Sequence, residues 1–466
     1  MRARLARRGP MITSRNPATG SVVFETASAG PADVAATVER ARAASGEWAG
    51  AAVSERAAVL RRFADLVERD SDELTAGIVA EVGKVLAEAR GEVDWTALSA
   101  RWYADHPPES ERRGGALVRR RPLGVIATIT PWNVPLITPA WKWLPALVAG
   151  NTVVWKPSEL ASGVAFAAKV RLEEAGIPPG VLEVLPGGPA TARTLCKHPA
   201  VAAVHFTGST KAGKAIAAIT SVSLKRCALE MGGLNFALVF ADADLEAAAD
   251  SITAAATSIN GQKCTATRRV LVERTVADEL VSLLSERYER LVAGDPAEEA
   301  TTLGPLITPA ARDAAEREVD RAASAGARVV ARSPHASGDG IDPAGFFRAT
   351  ILARLAPDDP LRSSELFAPV LSVDSFDERE EAWRAANESP YGLTGAVYTT
   401  DPDTAAVTCE RVRTGILAVN GRSDAVELEA PFGGVKESGN GFREGGMYIY
   451  DSLTELQAVY GQESAA

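Results

Sequence analysis

Cysteine and histidine are scarce: the 466 residues carry four of each. Cys196, Cys227, Cys264 and Cys409 lie far apart with no CxxC pair, and the histidines show no ligand spacing. A disulfide framework and a structural zinc are therefore disfavoured. No apolar run is long enough to cross a bilayer. Arg2, Arg4, Arg7 and Arg8 are not followed by an apolar stretch, so they are not a secretory signal. An organellar presequence fits them, but an extended start before Met11 is the plainer reading. Positive charge is also short. A net charge of −10 disfavours nonspecific nucleic-acid binding, which needs clustered cations. Repeats and low-complexity tracts are missing. We expect a cytoplasmic, reducing location with neither membrane nor nucleic acid as partner. What remains is 46% apolar and 24% charged, ordinary for a globular protein. The chain is too long for one core, so two or more domains are expected.

Residues 54–69 carry Val59, Leu60, Phe63, Leu66 and Val67 at helical spacing, and 71–90 continue that style after a cap at Ser71. From Val125 the pattern changes. Short apolar runs at 125–130, 152–158, 181–187 and 201–209 alternate with helix-like stretches, including one through Trp141 and Leu147. That rhythm predicts βαβ units and a parallel sheet, with ligands at the carboxyl ends of the strands. A second α/β unit begins at 236–240 with a helix over 244–259. Its expected strands are 327–332, 369–376, 396–400 and 415–420. Segment 109–122 is polar and basic and reads as an excursion that the tail "LTELQAVYG" can pair with.

Several side chains have the chemistry of a reaction centre. Cys264 follows Gly261-Gln262-Lys263, a polar turn that can expose a thiol, and Lys263 is a neighbouring cation. Glu230, 34 residues upstream in "LEMGG", is a possible general base. Asn133 in "PWNVP" can donate to an oxyanion together with the Cys264 N–H. "GSTKAG" at 208–213 has small residues at a strand-to-helix turn, where a helix N-terminus can approach pyrophosphate. It is not a GxGxxG fingerprint. "WKPSE" at 155–159 offers a cation and a carboxylate near a ribose. Singly, each has a plainer explanation: an inert buried thiol, a solvated glutamate, a turn asparagine, ordinary turn chemistry.

Together, in this order, these fragments resemble the aldehyde dehydrogenase superfamily from "NPATG" at 16–20 to the tail. "ELFAPV" (365–370), "NESPYGLTGAVYT" (387–399) and "PFGGVKESGNGFREGG" (431–446) add to the likeness. The resemblance implies an α/β fold with a Rossmann-type cofactor domain (1–103 and 123–232) and an α/β catalytic domain (233–438). It adds a small β oligomerisation arm with the C-terminal tail (104–122 and 439–466), and a homodimer or homotetramer. It makes Cys264 the nucleophile, Glu230 the base and Asn133 the oxyanion donor. Lys156, Ser158 and Glu159 would meet the adenosine ribose. Gly188, Gly208, Ser209 and Gly213 would line the pyrophosphate path. Ile129, Thr130, Trp132, Met231, Glu365 and Phe367 would complete the cofactor site. Glu159 favours NAD, with NADP accepted; no metal is implied. Leu234 and Phe236 depart from the family's "GGKNP", Lys211 replaces a frequent acid, and Ala368 a frequent glycine.

In motif style the chain is most similar to dehydrogenases of α-ketoglutarate semialdehyde and succinate semialdehyde. That implies a carboxylate-bearing aldehyde, with Lys263 and Arg422 as anion partners. Facing solvent, both would have no such role, and the acids Asp424, Glu427 and Glu429 in the same loop could neutralise Arg422. Val134, Trp141 and Phe432 would line the substrate path, with Val134 making it roomy. A CoA-acylating relative, a noncatalytic protein on the same fold and an ordinary alcohol dehydrogenase are the alternatives. Glu230 argues against the first, both reacting groups against the second, and Cys264 against the third.

Overall fold

The computed structural model describes residues 10–461. The basic start and the last five residues of the tail lie outside them. A hairpin, Met11–Arg15 with Val22–Ala27, precedes four helices over Pro31–Gly50, Val53–Arg69, Ser71–Val82 and Leu86–Asp105. The expected continuous pattern over 71–90 is broken at Gly83. That residue caps Ser71–Val82 in the left-handed region at φ +73°, where a side chain is strained. Phe63 packs edge-on to Trp143 at 5.3 Å, joining this helical layer to the core beneath it.

That core covers one face of a five-stranded parallel sheet. Its strand order is Leu182–Val184, Thr152–Lys156, Val125–Ile129, Val201–Thr207, Arg226–Glu230. The first strand in sequence, Val125–Ile129, sits between the second and the fourth. The connections therefore leave it toward opposite sides, which opens a crevice beyond the carboxyl ends. In register Ile129 opposes both Lys156 and Phe206, and Thr207 opposes Glu230. The carboxyl ends thus deliver Thr130, Lys156, Gly208 and Glu230 to one edge.

The second sheet has seven strands in the order Arg328–Arg332, Thr350–Ala353, Val370–Phe376, Thr267–Glu273, Asn235–Val239, Thr394–Tyr398, Ile416–Val419. All neighbours are parallel except the first pair. Two of its strands, Thr267–Glu273 and Thr350–Ala353, were not expected from sequence. Arg268 and Arg269 make the former look like a loop. Both are buried: Arg268 donates to Ala368 O at 2.7 Å, and Arg269 to Ala385 O at 3.2 Å. Backbone carbonyls replace their water shell.

Only Met231-Gly232-Gly233-Leu234 separates the last strand of the first sheet from the strand Asn235–Val239 of the second. The carboxyl end of one sheet therefore meets the amino end of the other. Glu230 closes the first, and Cys264 lies three residues before Thr267–Glu273 of the second. A third, antiparallel sheet joins Glu111–Arg113, Ala116–Pro122 and the tail strand Thr454–Tyr460, in unbroken register from Thr454↔Pro122 to Tyr460↔Ala116.

Candidate active site

The turn that carries Cys264 is conformationally unusual. The helix Leu245–Thr257 ends at a 3-10 turn, Ser258–Gly261, earlier than the 259 expected. Ile259, Asn260 and Gly261 all have positive φ, at 51°, 55° and 71°. For a β-branched residue such as isoleucine this is costly, so surrounding bonds must impose it. They are present. Both Glu88 carboxylate oxygens accept from Ile259 N–H, at 2.8 and 3.0 Å. Asn260 Nδ2 donates to Gly83 O and Pro305 O at 3.0 Å, and its Oδ1 accepts from Gly304 N–H. Arg268 Nη2 donates to Gly261 O at 2.5 Å. Asn235 Nδ2 donates to Cys264 O and Ala266 O at 2.7 and 2.8 Å. None of these clamps was singled out from sequence, because their partners are distant in the chain.

Asn133, buried, reaches the same turn: its Nδ2 donates to Gln262 O at 2.9 Å. An amide nitrogen has two hydrogens, so one remains for a ligand oxygen. Cys264 keeps part of its surface open. Burial, then the carboxylate of Glu365, push its thiol up to about 12; Glu230 adds to the rise and Lys263 opposes it. The thiol thus feels both carboxylates, which sequence places 34 and 101 residues away.

Glu230 is buried, and its Oε2 has no hydrogen-bond partner. Burial and the neighbouring Glu444 carboxylate hold its pKa well above the usual range, while Lys142, Arg443 and a bond from Gly434 pull the other way. Lys142 and Glu444 form a fully buried ion pair beside it, another pair that sequence reading missed. Gly433, at φ +150°, passes so close that a Cβ there would lie 2.6 Å from Glu230 Oε1. The segment after it also bonds Met231 N–H through Ser438 O at 2.9 Å.

The residues around the crevice fit a dinucleotide. Ser209 caps the helix Thr210–Ser221, its hydroxyl accepting from Ala212 N–H, which leaves this N-terminus beside Gly208. Gly213 faces the Met231 sulfur, and any Cβ there would collide with it. Glu365 is held against Gly232, with Oε1 buried and without a partner. Burial raises its pKa to about 7, against the pull of Arg268 and a bond from Gly233. An orphaned carboxylate of this kind suits ribose hydroxyl donors. Trp132 meets Phe367 edge-on at 5.9 Å. Trp155 Nε1 donates to Thr130 Oγ1 at 2.9 Å. Lys156, buried, pairs with Glu159 at 3.6 Å, and Ser158 Oγ accepts from Leu160 N–H. Gly188 starts the helix Pro189–Lys197 beside Glu159.

On the remaining side, Trp141 donates Nε1 to Ser99 Oγ at 2.9 Å and meets Phe432 edge-on at 6.0 Å. Val134 is half-buried two residues before the helix cap Leu136. Lys263 and Arg422 both bond to Asp424. Among the described residues, no cluster could hold a metal ion and no helix is long and apolar enough to cross a membrane.

Comparison with known proteins gives these features a context. The profile of the aldehyde dehydrogenase family matches residues 5–459. A vanillin dehydrogenase of Amycolatopsis sp. is 38% identical over 95% of this chain and 92% of its own. A succinate-semialdehyde dehydrogenase [NADP(+)] of Deinococcus radiodurans is 38% identical over 91% and 90%. Among solved structures, PnpE in complex with nicotinamide adenine dinucleotide superposes with a TM-score of 0.93 at 32% identity, covering 98% of this chain and 95% of that one. The chain belongs to the aldehyde dehydrogenase family and is an NAD(P)-dependent oxidoreductase.

Proposed function

We propose that this protein oxidises an aldehyde to a carboxylic acid through a covalent adduct on Cys264. The observation that carries the reading is the meeting of Cys264, Glu230 and Asn133 at the junction of the two sheets. The Cys264 thiol gives its proton to solvent water, a loss that neighbouring Lys263 favours, and Sγ bonds to the aldehyde carbon. The resulting alkoxide accepts from the free Asn133 N–H and the Cys264 N–H. A nicotinamide cofactor held in the crevice would supply the acceptor for the hydride that leaves this carbon, and a thioester remains on Cys264. Glu230 takes a proton from water, whose oxygen displaces the sulfur and releases the acid. The high proton affinity of Glu230 suits it to that step. Free acid with one NADH per aldehyde, lost in Cys264→Ala, is the expected result. Acyl-CoA formed in place of acid would overturn it in favour of CoA acylation.

NAD is the preferred cofactor and NADP an accepted one. Glu159 can accept from a free 2′-hydroxyl and repels a 2′-phosphate, although Lys156 beside it softens the repulsion. Equal or better kcat/KM with NADP would refute this. The part 104–122 with 439–466 acts as an oligomerisation arm for a homodimer or homotetramer, leaving 1–103 with 123–232 to the cofactor and 233–438 to catalysis. Leu456 and Tyr460 on the tail strand, 62% and 78% exposed, support that role. A nucleophilic free thiol goes with a reducing, cytoplasmic setting. A carboxylate-bearing semialdehyde would need Lys263 and Arg422 as free anion partners, yet both bond to Asp424. The relatives include a succinate-semialdehyde and a vanillin dehydrogenase, so the two cations are the point on which the substrate class turns.

A further inference from the structure

Two cations flank the nucleophile turn, and one buried carboxylate engages both. Lys263 Nζ donates to Asp424 Oδ2 at 2.8 Å and to Asp424 O at 3.2 Å. Arg422 Nε and Nη2 reach Asp424 Oδ1 and Oδ2 at 2.8 and 2.9 Å. The Asp424 side chain is 1% exposed, against 24% for Lys263 and 45% for Arg422. The carboxylate lies inside and the cations fold back over it. The loop that carries it is fixed to two neighbouring strands of the second sheet: Ser423 Oγ and Thr267 Oγ1 are 2.8 Å apart, and Tyr398 OH donates to Gly421 O at 2.8 Å. Glu88, from the helix packed against this turn, adds its negative charge toward Arg422. Two cations therefore meet two carboxylates. Further along the same loop, Val426, Leu428 and Phe432 pack into the apolar cluster of Trp95 and Trp141.

We propose that Asp424 is a built-in counter-ion that neutralises the cations beside Cys264, so that the enzyme selects uncharged aldehydes over carboxylate-bearing ones. The inference rests on the aldehyde oxidation proposed above and names its substrate class. A substrate carboxylate entering here must share Lys263 and Arg422 with a carboxylate already bonded to both. The like charge and the lost hydration are then uncompensated. An uncharged aldehyde meets no such penalty and finds apolar and aromatic surface.

The test compares matched pairs, butanal with succinic semialdehyde and benzaldehyde with 4-carboxybenzaldehyde, by NADH formation with NAD⁺. The wild type is expected to favour the uncharged member of each pair by about tenfold or more in kcat/KM, through KM. Asp424→Asn should raise the ratio of carboxylate to uncharged substrate about tenfold, again through KM. Adding Lys263→Met to Asp424→Asn should erase that gain, which a loop merely loosened would not do. A wild type that handles succinic semialdehyde as well as butanal overturns the proposal even if the variants do not fold. So does an Asp424→Asn protein that changes both members of a pair equally. Absence of NADH with all four aldehydes would instead overturn the aldehyde-oxidising reading, and this inference with it.

Discussion

In the proposed reaction Asn133 divides its amide between structure and chemistry. One hydrogen is committed to Gln262 O, so the side chain cannot swing away from the turn that carries Cys264. Asn133→Ala should lower kcat by about 10²–10³-fold, the usual cost of one oxyanion donor, with a smaller effect on KM for NAD⁺; stopped-flow NADH fluorescence separates the two. Glu365 gives a pH prediction. Its carboxyl is raised to about 7 by burial, so below neutrality it is protonated and has lost the charge that accepts ribose hydroxyl hydrogen bonds. NAD⁺ affinity should therefore weaken as pH falls from 8 to 6. In Glu365→Gln it should be weaker throughout and flat over that range, as read by calorimetry.

At the scale of elements, the strained link between the helix Leu245–Thr257 and the strand Thr267–Glu273 sets where Cys264 lies. Glu88 holds Ile259 in the left-handed region, and truncation leaves a buried N–H unbonded. Glu88→Ala should cost about 1–3 kcal/mol in denaturant unfolding, and should reduce kcat while NAD⁺ still binds. Cys264, Glu230 and Asn133 could be singled out in sequence as candidates because their chemistry is written in residue type and chain order. Glu88 was not, because its bond to Ile259 spans 171 residues and a glutamate on a helix reads as solvated. Strand Thr267–Glu273 hid for a related reason: Arg268 and Arg269 read as surface, yet carbonyls from distant segments receive them. The break at Gly83 was signalled by the glycine itself, which the helical spacing on both sides masked. Lys263 and Arg422 were visible as cations. Their shared bond to Asp424 had only a local hint, the acid two residues after Arg422.

At the scale of the whole molecule, the proposed reaction centre lies where two sheets meet end to end across Met231–Leu234, while segment 431–446 closes over Glu230. The tail then leaves this centre to pair with 116–122. Ending the chain after Leu453 removes that strand and exposes the edge of Ala116–Pro122. Sedimentation analysis should then show a smaller assembly than the full chain forms. The central claim, that oxidation proceeds on the sulfur of Cys264 and that Glu230 frees the product, has a direct test. Glu230→Gln protein is mixed with aldehyde and NAD⁺, quenched in acid, and analysed by peptide mass spectrometry. About one acyl group per site is expected, on Cys264 alone, accompanied by one equivalent of NADH and little free acid. NADH and acid formed at full rate with no acyl mass on Cys264 would contradict it.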